Sequence, residues 1–168
     1  SSTAVEPVGL EIDWDELWAI NDEIYAWIDI PGTEMSFPVL QRPEDDNFYL
    51  RHSITGEYSS AGSIYTEATY NSTTFEDPVT ILYGHNMRDD STFFSTLEQY
   101  VSQLDLTQDA VIDIYTPDAK RTYRIFAGVS HDNLHILYYN DFTDEKTYNS
   151  FFEGIVSTRD LQANVNQE

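Results

Sequence analysis

Short apolar runs bounded by turn residues recur along the sequence and restrict the chain to a fold built mainly of strands. The clearest pair is Val111–Tyr115 and the segment 122–129, which flank a Thr-Pro-Asp-Ala turn at 116–119. In the second segment every other side chain lies on one face, at Tyr123, Ile125, Ala127 and Val129. The 12 tyrosines and 9 phenylalanines also favour strands. The pattern predicts two strands joined by a hairpin turn.

Three other segments have residues at helical spacing. Asp13 precedes the first, and Glu16 follows it by three residues, an arrangement that resembles a capping box. The last segment is predicted to begin at a Thr143 cap, with acidic residues in its first turn. The residues that share a face are Trp14, Leu17, Trp18, Asn21 and Ile24 in the first segment, Phe93, Leu97, Tyr100, Val101 and Leu104 in the second, and Tyr148, Phe151, Phe152, Ile155 and Val156 in the third. We predict that the third helix buries its set.

Length, charge and cysteine content limit the possible function classes. The 168 residues suit one domain spanning 1–168, with residues 1–12 expected to be a flexible extension. An excess of 30 acidic over 8 basic residues gives a formal charge of −22, which disfavours nucleic acids and anionic membrane surfaces as partners. With no signal peptide and no run of roughly 18 apolar residues, we expect a trimmed soluble piece. The absence of cysteine excludes disulfides and zinc–thiolate sites.

One histidine occupies a position typical of a catalytic group. The apolar run 79–82 leads through Tyr83 and Gly84 to His85. We predict that this run is a buried strand that delivers His85 to a loop at its end, where the side chain can face a cleft. Histidine is the side chain best suited to proton transfer near neutral pH, so the position indicates catalysis. The alternative is a polar histidine at a strand end with no chemical role.

The histidine segment belongs to a series of blocks spread over residues 21–101. The segment 83–87 has the sequence Tyr-Gly-His-Asn-Met, and it is followed by Asp90, Ser91, Phe93, Phe94 and Leu97. Earlier blocks lie at 21–33, which contains Trp-Ile-Asp-Ile-Pro-Gly-Thr, and at 37–41, 46–50 and 62–65. In this order and spacing the blocks resemble the class B sortases, and such a series is far more specific than a lone motif. Residues 110–159 match more loosely.

The resemblance implies a fold and an activity. The fold would be mostly β with helices: a sortase-like β-barrel with an N-terminal helix and a long late helix. The activity would be that of a cysteine transpeptidase without a cofactor or a metal, at the extracellular face of the cell membrane, to which a family member is anchored. A thiolate attacks the Thr–Gly or Thr–Asn bond of a sorting signal in a surface protein. An amine of a peptidoglycan precursor or a pilin then resolves the acyl-enzyme.

The resemblance also assigns roles to four residues. His85 matches the catalytic histidine, which donates or accepts the proton. Tyr83, Leu50 and Tyr138 match positions that bind substrate. For Tyr83 and Leu50 the alternative is a place in the hydrophobic core, and Tyr138 lies in the loosely matched segment 131–142.

The family's cysteine and arginine have no counterpart in this sequence. In the family a cysteine strand and then an arginine strand would follow the late helix, so Arg159 comes too early to be that arginine. We therefore expect a sortase domain that lacks its last strands and is inactive alone. The open barrel edge, at residues 79–84, would be covered by a neighbouring chain, by a swapped segment or by residues outside this sequence, so strand exchange or a dimer is possible there. The alternative is a non-catalytic sortase-like module that binds peptides or partners.

Two further motifs have ordinary interpretations. His131 and His135 are four residues apart, a spacing that on a helix could hold a metal, but no third ligand follows. We interpret both as surface histidines. Asn71-Ser72-Thr73 fits a glycosylation sequon, which we interpret as a coincidence.

Overall fold

The computed structural model describes residues 9–85, 87, 97, 100, 103–105, 110–158 and 164–165. Its elements are α1 (Trp14–Ile20), β1 (Ile24–Asp29), β2 (Ser36–Leu40), a 3₁₀ helix (Phe48–Leu50), β3 (Ile64–Tyr65), β4 (Val111–Tyr115), β5 (Lys120–Arg124), β6 (Ala127–Gly128), α2 (Ile136–Tyr139), α3 (Glu145–Val156) and β7 (Asn164–Val165). The prediction of a mostly β fold with helices is confirmed.

The main sheet has five strands in the order β3-β2-β1-β4-β5. Strand β2 pairs parallel with β3, whereas the other neighbouring pairs are antiparallel. Among the described residues the sheet does not close into a barrel, and β3 and β5 form its edges. Edge strand β5 is mostly exposed and carries Lys120, Arg121 and Arg124. Charged side chains on an edge oppose its pairing with another chain, so strand exchange at β5 is disfavoured.

The central strand β1 explains where the core lies. Alternate residues of this strand face inward, so Ile24, Ala26 and Ile28 are buried. Two clusters meet at this strand. The larger consists of Ala26, Ile28, Ile30, Met35, Val39, Ile64, Phe75 and Ile114. The smaller consists of Ile24, Leu40, Tyr49 and Tyr65, and Tyr83 packs against it. The smaller cluster therefore supports the residues around the predicted histidine.

The hairpin is confirmed, but its second strand is shorter than predicted. Strands β4 and β5 pair in register from Val111↔Arg124 to Tyr115↔Lys120. The pairing extends one residue further, because the buried Ile125 donates its N–H to Ala110 O at 2.8 Å. Residues 127–128 then pair with 164–165 in a separate two-stranded sheet. A continuous strand over 122–129 is therefore wrong, because the chain changes its partner from β4 to residues 164–165.

The first and last helices begin close to where the sequence predicted. The Asp13 carboxylate accepts the Glu16 N–H at 3.0 Å, which confirms the cap of α1. The cap of α3 is Asp144 rather than Thr143, because Asp144 accepts the Thr147 N–H at 2.8 Å while the Thr143 hydroxyl donates to Asp141. No residue of α3 is buried. The prediction that its apolar face is buried is therefore wrong: in the described part of the chain this face packs mainly on Phe142 and Phe126.

The predicted middle helix lies partly outside the described residues, which exclude Phe93 and Val101. Its described residues Leu97 and Tyr100 are helical and pack against the larger core cluster. No helix in the described part of the chain has the length and hydrophobicity that a membrane crossing requires. Of the predicted N-terminal extension, residues 1–8 lie outside the description. Leu10 is tied to the domain, because its N–H donates to the Tyr115 hydroxyl at 3.1 Å.

Candidate active site

The segment 79–85 runs beside β3 but does not form the buried strand that the sequence predicted. Only Tyr83 pairs with a strand: its N–H donates to Tyr65 O at 2.8 Å, and the Tyr65 N–H donates to Tyr83 O at 3.1 Å. Residues 79–85 are half-buried, so this segment is not a solvated sheet edge either. That a neighbouring chain covers residues 79–84 stays a prediction.

A side chain, not a neighbouring strand, holds the first part of this segment. The Asn71 amide donates to Val79 O at 2.8 Å, and the Ile81 N–H donates to Asn71 Oδ1 at 3.1 Å. Asn71 is only 3% exposed, and its own carbonyl accepts a hydrogen bond from Gln41 Nε2 at 2.9 Å. The amide thus supplies the donor and the acceptor that a neighbouring strand would otherwise provide. The sequon at Asn71 is therefore a buried structural residue.

His85 follows two residues after the Tyr83 pairing. It is half-buried, and its Nδ1 atom is shielded from solvent. The backbone that leads to it is fixed twice, by Asn71 at residues 79 and 81 and by Tyr65 at residue 83. The sequence therefore places a histidine just beyond a doubly anchored segment.

Tyr83 contributes an aromatic surface rather than a titrating group. Its ring stacks on that of Tyr65, with the ring centroids 5.5 Å apart. Burial raises the pKa of Tyr83 to about 12, and the nearby negative charge of Glu67 adds to this effect. The phenol therefore stays protonated at neutral pH. Tyr83 is half-buried, so it both packs on the core and retains an accessible face.

Leu50 ends the 3₁₀ helix. The turn before β3 fits closely under this helix, because Gly62 has a φ of +63° and a Cβ there would lie 2.5 Å from Leu50 O. The Ser63 N–H also donates to Tyr49 O at 2.9 Å. These contacts leave the Leu50 side chain 37% exposed. Leu50 is therefore not a core leucine, which removes the alternative interpretation of this position.

Tyr138 lies on the short helix α2 and is 66% exposed. Its ring makes edge contacts with His135 and with Tyr139, at centroid distances of 6.5 and 4.9 Å. The His135 ring also lies 6.3 Å from the Tyr83 ring and 4.8 Å from the Tyr70 ring. One histidine ring therefore links two of the predicted substrate-binding tyrosines.

His135 is not the surface histidine that the sequence suggested. Its Nε2 lies 2.6 Å from Glu67 Oε2, and its Nδ1 accepts the Tyr138 N–H at 3.0 Å. Glu67 itself is 6% exposed. Sequence reasoning missed this pair because the two residues are 68 positions apart and neither stands in a local pattern. A glutamate two residues after the buried strand β3 was the one available signal.

The structure thus gathers Tyr83 and Tyr138 around His135 and places His85 two residues beyond Tyr83, whereas Leu50 lies beside the turn that precedes β3. Two adjoining clefts of about 530 and 720 Å³ lie elsewhere, and they share Asp22, Tyr25 and Thr73. None of the four predicted site residues lines either cleft. Cleft volume therefore does not mark the site, and its assignment depends on residue chemistry and on relatives.

No family model matches the chain. Two curated relatives do: sortase B of Listeria monocytogenes, 38% identical over 88 residues, which are 52% of this chain and 35% of that protein, and sortase B of Staphylococcus aureus, 27% identical over 153 residues, which are 91% of this chain and 62% of that protein. The chain thus spans less than two thirds of the length of either relative.

Solved structures agree with these relatives. The Staphylococcus aureus sortase B–substrate complex superposes with a TM-score of 0.67 at 27% identity, covering 84% of this chain and 64% of that one. A Streptococcus pyogenes class B sortase involved in pilus biogenesis gives a TM-score of 0.69 at 27% identity, covering 89% and 82%. By sequence and by fold, this chain is therefore a relative of the class B sortases.

Proposed function

We propose that this chain is the peptide-binding and proton-transfer part of a sortase-type cysteine transpeptidase that acts at the cell surface. The observation that carries the proposal is the doubly anchored segment that ends in Tyr83-Gly84-His85, within a chain related to class B sortases. One of the structural neighbours is a sortase B–substrate complex, which supports a peptide substrate for this chain as well.

In the proposed reaction a thiolate attacks the carbonyl carbon of threonine in a Thr–Gly or Thr–Asn bond. The C–N bond breaks, a thioester forms, and His85 gives a proton to the departing amine. An amine of a peptidoglycan precursor or a pilin then attacks the thioester. This attack displaces the thiolate, and the amine gives a proton back to His85. The thiol comes from outside these 168 residues, which contain no cysteine.

The three predicted substrate-binding side chains suit an extended peptide. Tyr83, Tyr138 and Leu50 offer apolar surface that remains partly accessible. Aromatic side chains bind peptides at low entropic cost because each has only two χ angles to fix. The net charge of −22 attracts a cationic amine and speeds its encounter with the acyl-enzyme.

A second function is a sortase-like module that binds peptides without cleaving them. The observation that favours it is the lack of any cysteine in the sequence. Both functions need the same peptide surface, so they differ only in the chemistry at His85.

The test uses the protein that contains this chain, with its full coding sequence, and a fluorogenic peptide with a central Thr–Gly or Thr–Asn bond. We expect cleavage that the His85→Ala variant lowers roughly 10²- to 10⁴-fold in kcat, the usual range for loss of a general acid–base group. His131→Ala, on an exposed loop, is the matched control and should retain activity. Binding without cleavage by the wild type would favour the binding module, and an active His85→Ala variant would remove His85 from the mechanism.

A further inference from the structure

We propose that Glu67 and His135 are positioning residues that hold helix α2, and with it Tyr138, beside Tyr83. This inference rests on the proposed function, because it treats Tyr138 and Tyr83 as two parts of one peptide-binding surface. It adds two residues that the comparison with sortases does not assign.

His135 uses its two ring nitrogens on two different parts of the chain. Nδ1 accepts the Tyr138 N–H at 3.0 Å and so caps the start of α2. Because Nδ1 acts as an acceptor, the ring proton is assigned to Nε2, which donates to Glu67 Oε2 at 2.6 Å. A single imidazole therefore fixes both the first turn of α2 and its distance from the end of β3.

Glu67 is a rigid anchor for this contact. Its side chain is buried, and its carbonyl accepts the N–H groups of Tyr70 at 3.1 Å and Asn71 at 2.9 Å. The residue before it, Thr66, donates its N–H to Leu40 O at 3.1 Å. The same turn, 67–71, supplies the Asn71 amide that holds residues 79 and 81. One turn thus anchors the segments that carry Tyr138 and His85.

Helix α2 has little else to place it. It is four residues long and none of them is buried. Helices of this length do not form alone in water, because the first hydrogen-bonded turn costs more than it gains. The Tyr138 ring contacts His135 and Tyr139 in the described part of the chain. Among the described residues, the two hydrogen bonds of His135, to the Tyr138 N–H and to Glu67, are therefore the contacts that place Tyr138.

The consequence for binding is entropic. With the pair intact, Tyr138 and Tyr83 are already near each other when a peptide arrives. Without the pair, α2 must be ordered during binding, and the affinity is multiplied by the fraction of molecules in which α2 is already ordered. The chemical step at His85 is not touched. A positioning role therefore predicts a weaker Kd or higher KM with an unchanged kcat.

Four substitutions separate this role from others. His135→Asn keeps a side chain that can cap α2 but cannot reach Glu67, and Glu67→Ala removes the acceptor altogether. Glu67→Gln keeps an acceptor of the same size and should retain most of the wild-type affinity. His131→Asn, on an exposed loop of the same segment, is the control.

The probe is an acetylated, amidated heptapeptide with a central Thr–Gly or Thr–Asn bond, and Kd is measured by calorimetry. We expect His135→Asn and Glu67→Ala each to weaken binding about tenfold, which corresponds to about 1.4 kcal/mol. Glu67→Gln should stay within about threefold of the wild type, and His131→Asn should match it. The double variant His135→Asn/Glu67→Ala should be no weaker than either single variant, because both remove one contact. Additive losses, or unchanged affinities, would overturn the proposal.

Two measurements test the pair without any peptide. Imidazole ¹⁵N shifts should identify His135 as the tautomer protonated at Nε2, and Glu67→Ala should speed amide exchange at Tyr139 and Asn140, whose N–H groups close α2. A proton on Nδ1, or unchanged exchange in Glu67→Ala, would refute the pair. If the wild type bound no peptide while these two results held, the proposed function would fail and the positioning pair would stand.

Discussion

Replacing Asn71 should reveal how the histidine segment is held. The Asn71 side chain is buried and bridges Val79 O and the Ile81 N–H at 2.8 and 3.1 Å. In Asn71→Ala both backbone groups lose their partner at once. Residues 79–85 are only half-buried, so water can partly replace the amide.

The magnitude follows from these two hydrogen bonds. A buried polar group left without a partner costs about 1–3 kcal/mol. Partial access of water places each group toward the lower end, so the total should be about 2–4 kcal/mol. For a chain of this length that lowers Tm by roughly 4–16 °C, at about 2–4 °C per kcal/mol. This is a large fraction of a typical stability of about 5–15 kcal/mol.

The assay is urea unfolding followed by circular dichroism, with Asn133→Ala as the control because Asn133 lies exposed on a loop. Asn71→Asp adds a finer test. It keeps the acceptor for the Ile81 N–H but turns a carboxylate oxygen toward Val79 O. Protonation of that carboxyl restores a donor, so the deficit of Asn71→Asp should shrink as the pH falls. An Asn71→Ala variant within about 0.5 kcal/mol of the wild type, the usual range for surface changes, would refute the bridging role.

Three further substitutions test the surroundings of the site. Gly62→Ala should destabilise the fold by about 2–5 kcal/mol, because it combines a φ of +63° with a Cβ 2.5 Å from two carbonyl oxygens; Gly56→Ala, at φ +82° in open space, should cost only about 1–2 kcal/mol in the same urea assay. Burial raises the pKa of Tyr83 to about 12. The stabilisation from the protonated phenol is therefore complete below about pH 10, its pKa in the unfolded chain, and is lost as the pH rises toward 12. Tyr83→Phe should flatten the plot of unfolding free energy against pH in that range, and an unchanged plot would contradict the burial. Burial opposes ionisation of Glu23, but hydrogen bonds from Arg42 and Tyr49 outweigh it and lower the pKa of Glu23. The stabilisation from the ionised carboxylate is therefore lost as the pH falls. Glu23→Gln should lose less unfolding free energy between pH 6 and pH 3 than the wild type does.

Local patterns predicted the elements that are stabilised locally. The Asp13 cap with Glu16 and the turn at 116–119 were correctly placed from residue type and spacing alone. Each depends on hydrogen bonds between residues three positions apart, which a sequence pattern records directly. The order of the sequence blocks added the family, which no single pattern could have done.

The errors arose where a distant contact redirected the chain. The alternation over 122–129 predicted one strand, but the chain changes its partner within this segment: Arg124 pairs with β4, whereas residues 127–128 pair with 164–165. The apolar run 79–82 predicted a strand, but the Asn71 side chain supplies its hydrogen bonds. The face of α3 predicted burial, yet no residue of that helix is buried among the described contacts. The spacing of apolar residues along the sequence identifies which residues prefer burial, but it does not identify which part of the chain covers them.

The Glu67–His135 pair joins residues 68 positions apart, so no local pattern could predict it. The free-energy cost of burying its carboxylate bears on its role. The chain already has a formal charge of −22, so burying one more carboxylate beside tyrosines is expensive. A well-packed apolar pair at these positions would be expected to give equal or greater stability. An apolar pair could not, however, make the two hydrogen bonds of the imidazole, in which Nδ1 accepts the Tyr138 N–H and Nε2 donates to the side chain of residue 67. Orientation of α2 is therefore the property that this hydrogen-bonded pair supplies and an apolar pair would lose. Stability and peptide affinity should respond differently to these substitutions: replacing both residues by apolar ones should leave the free energy of unfolding nearly unchanged while peptide binding weakens.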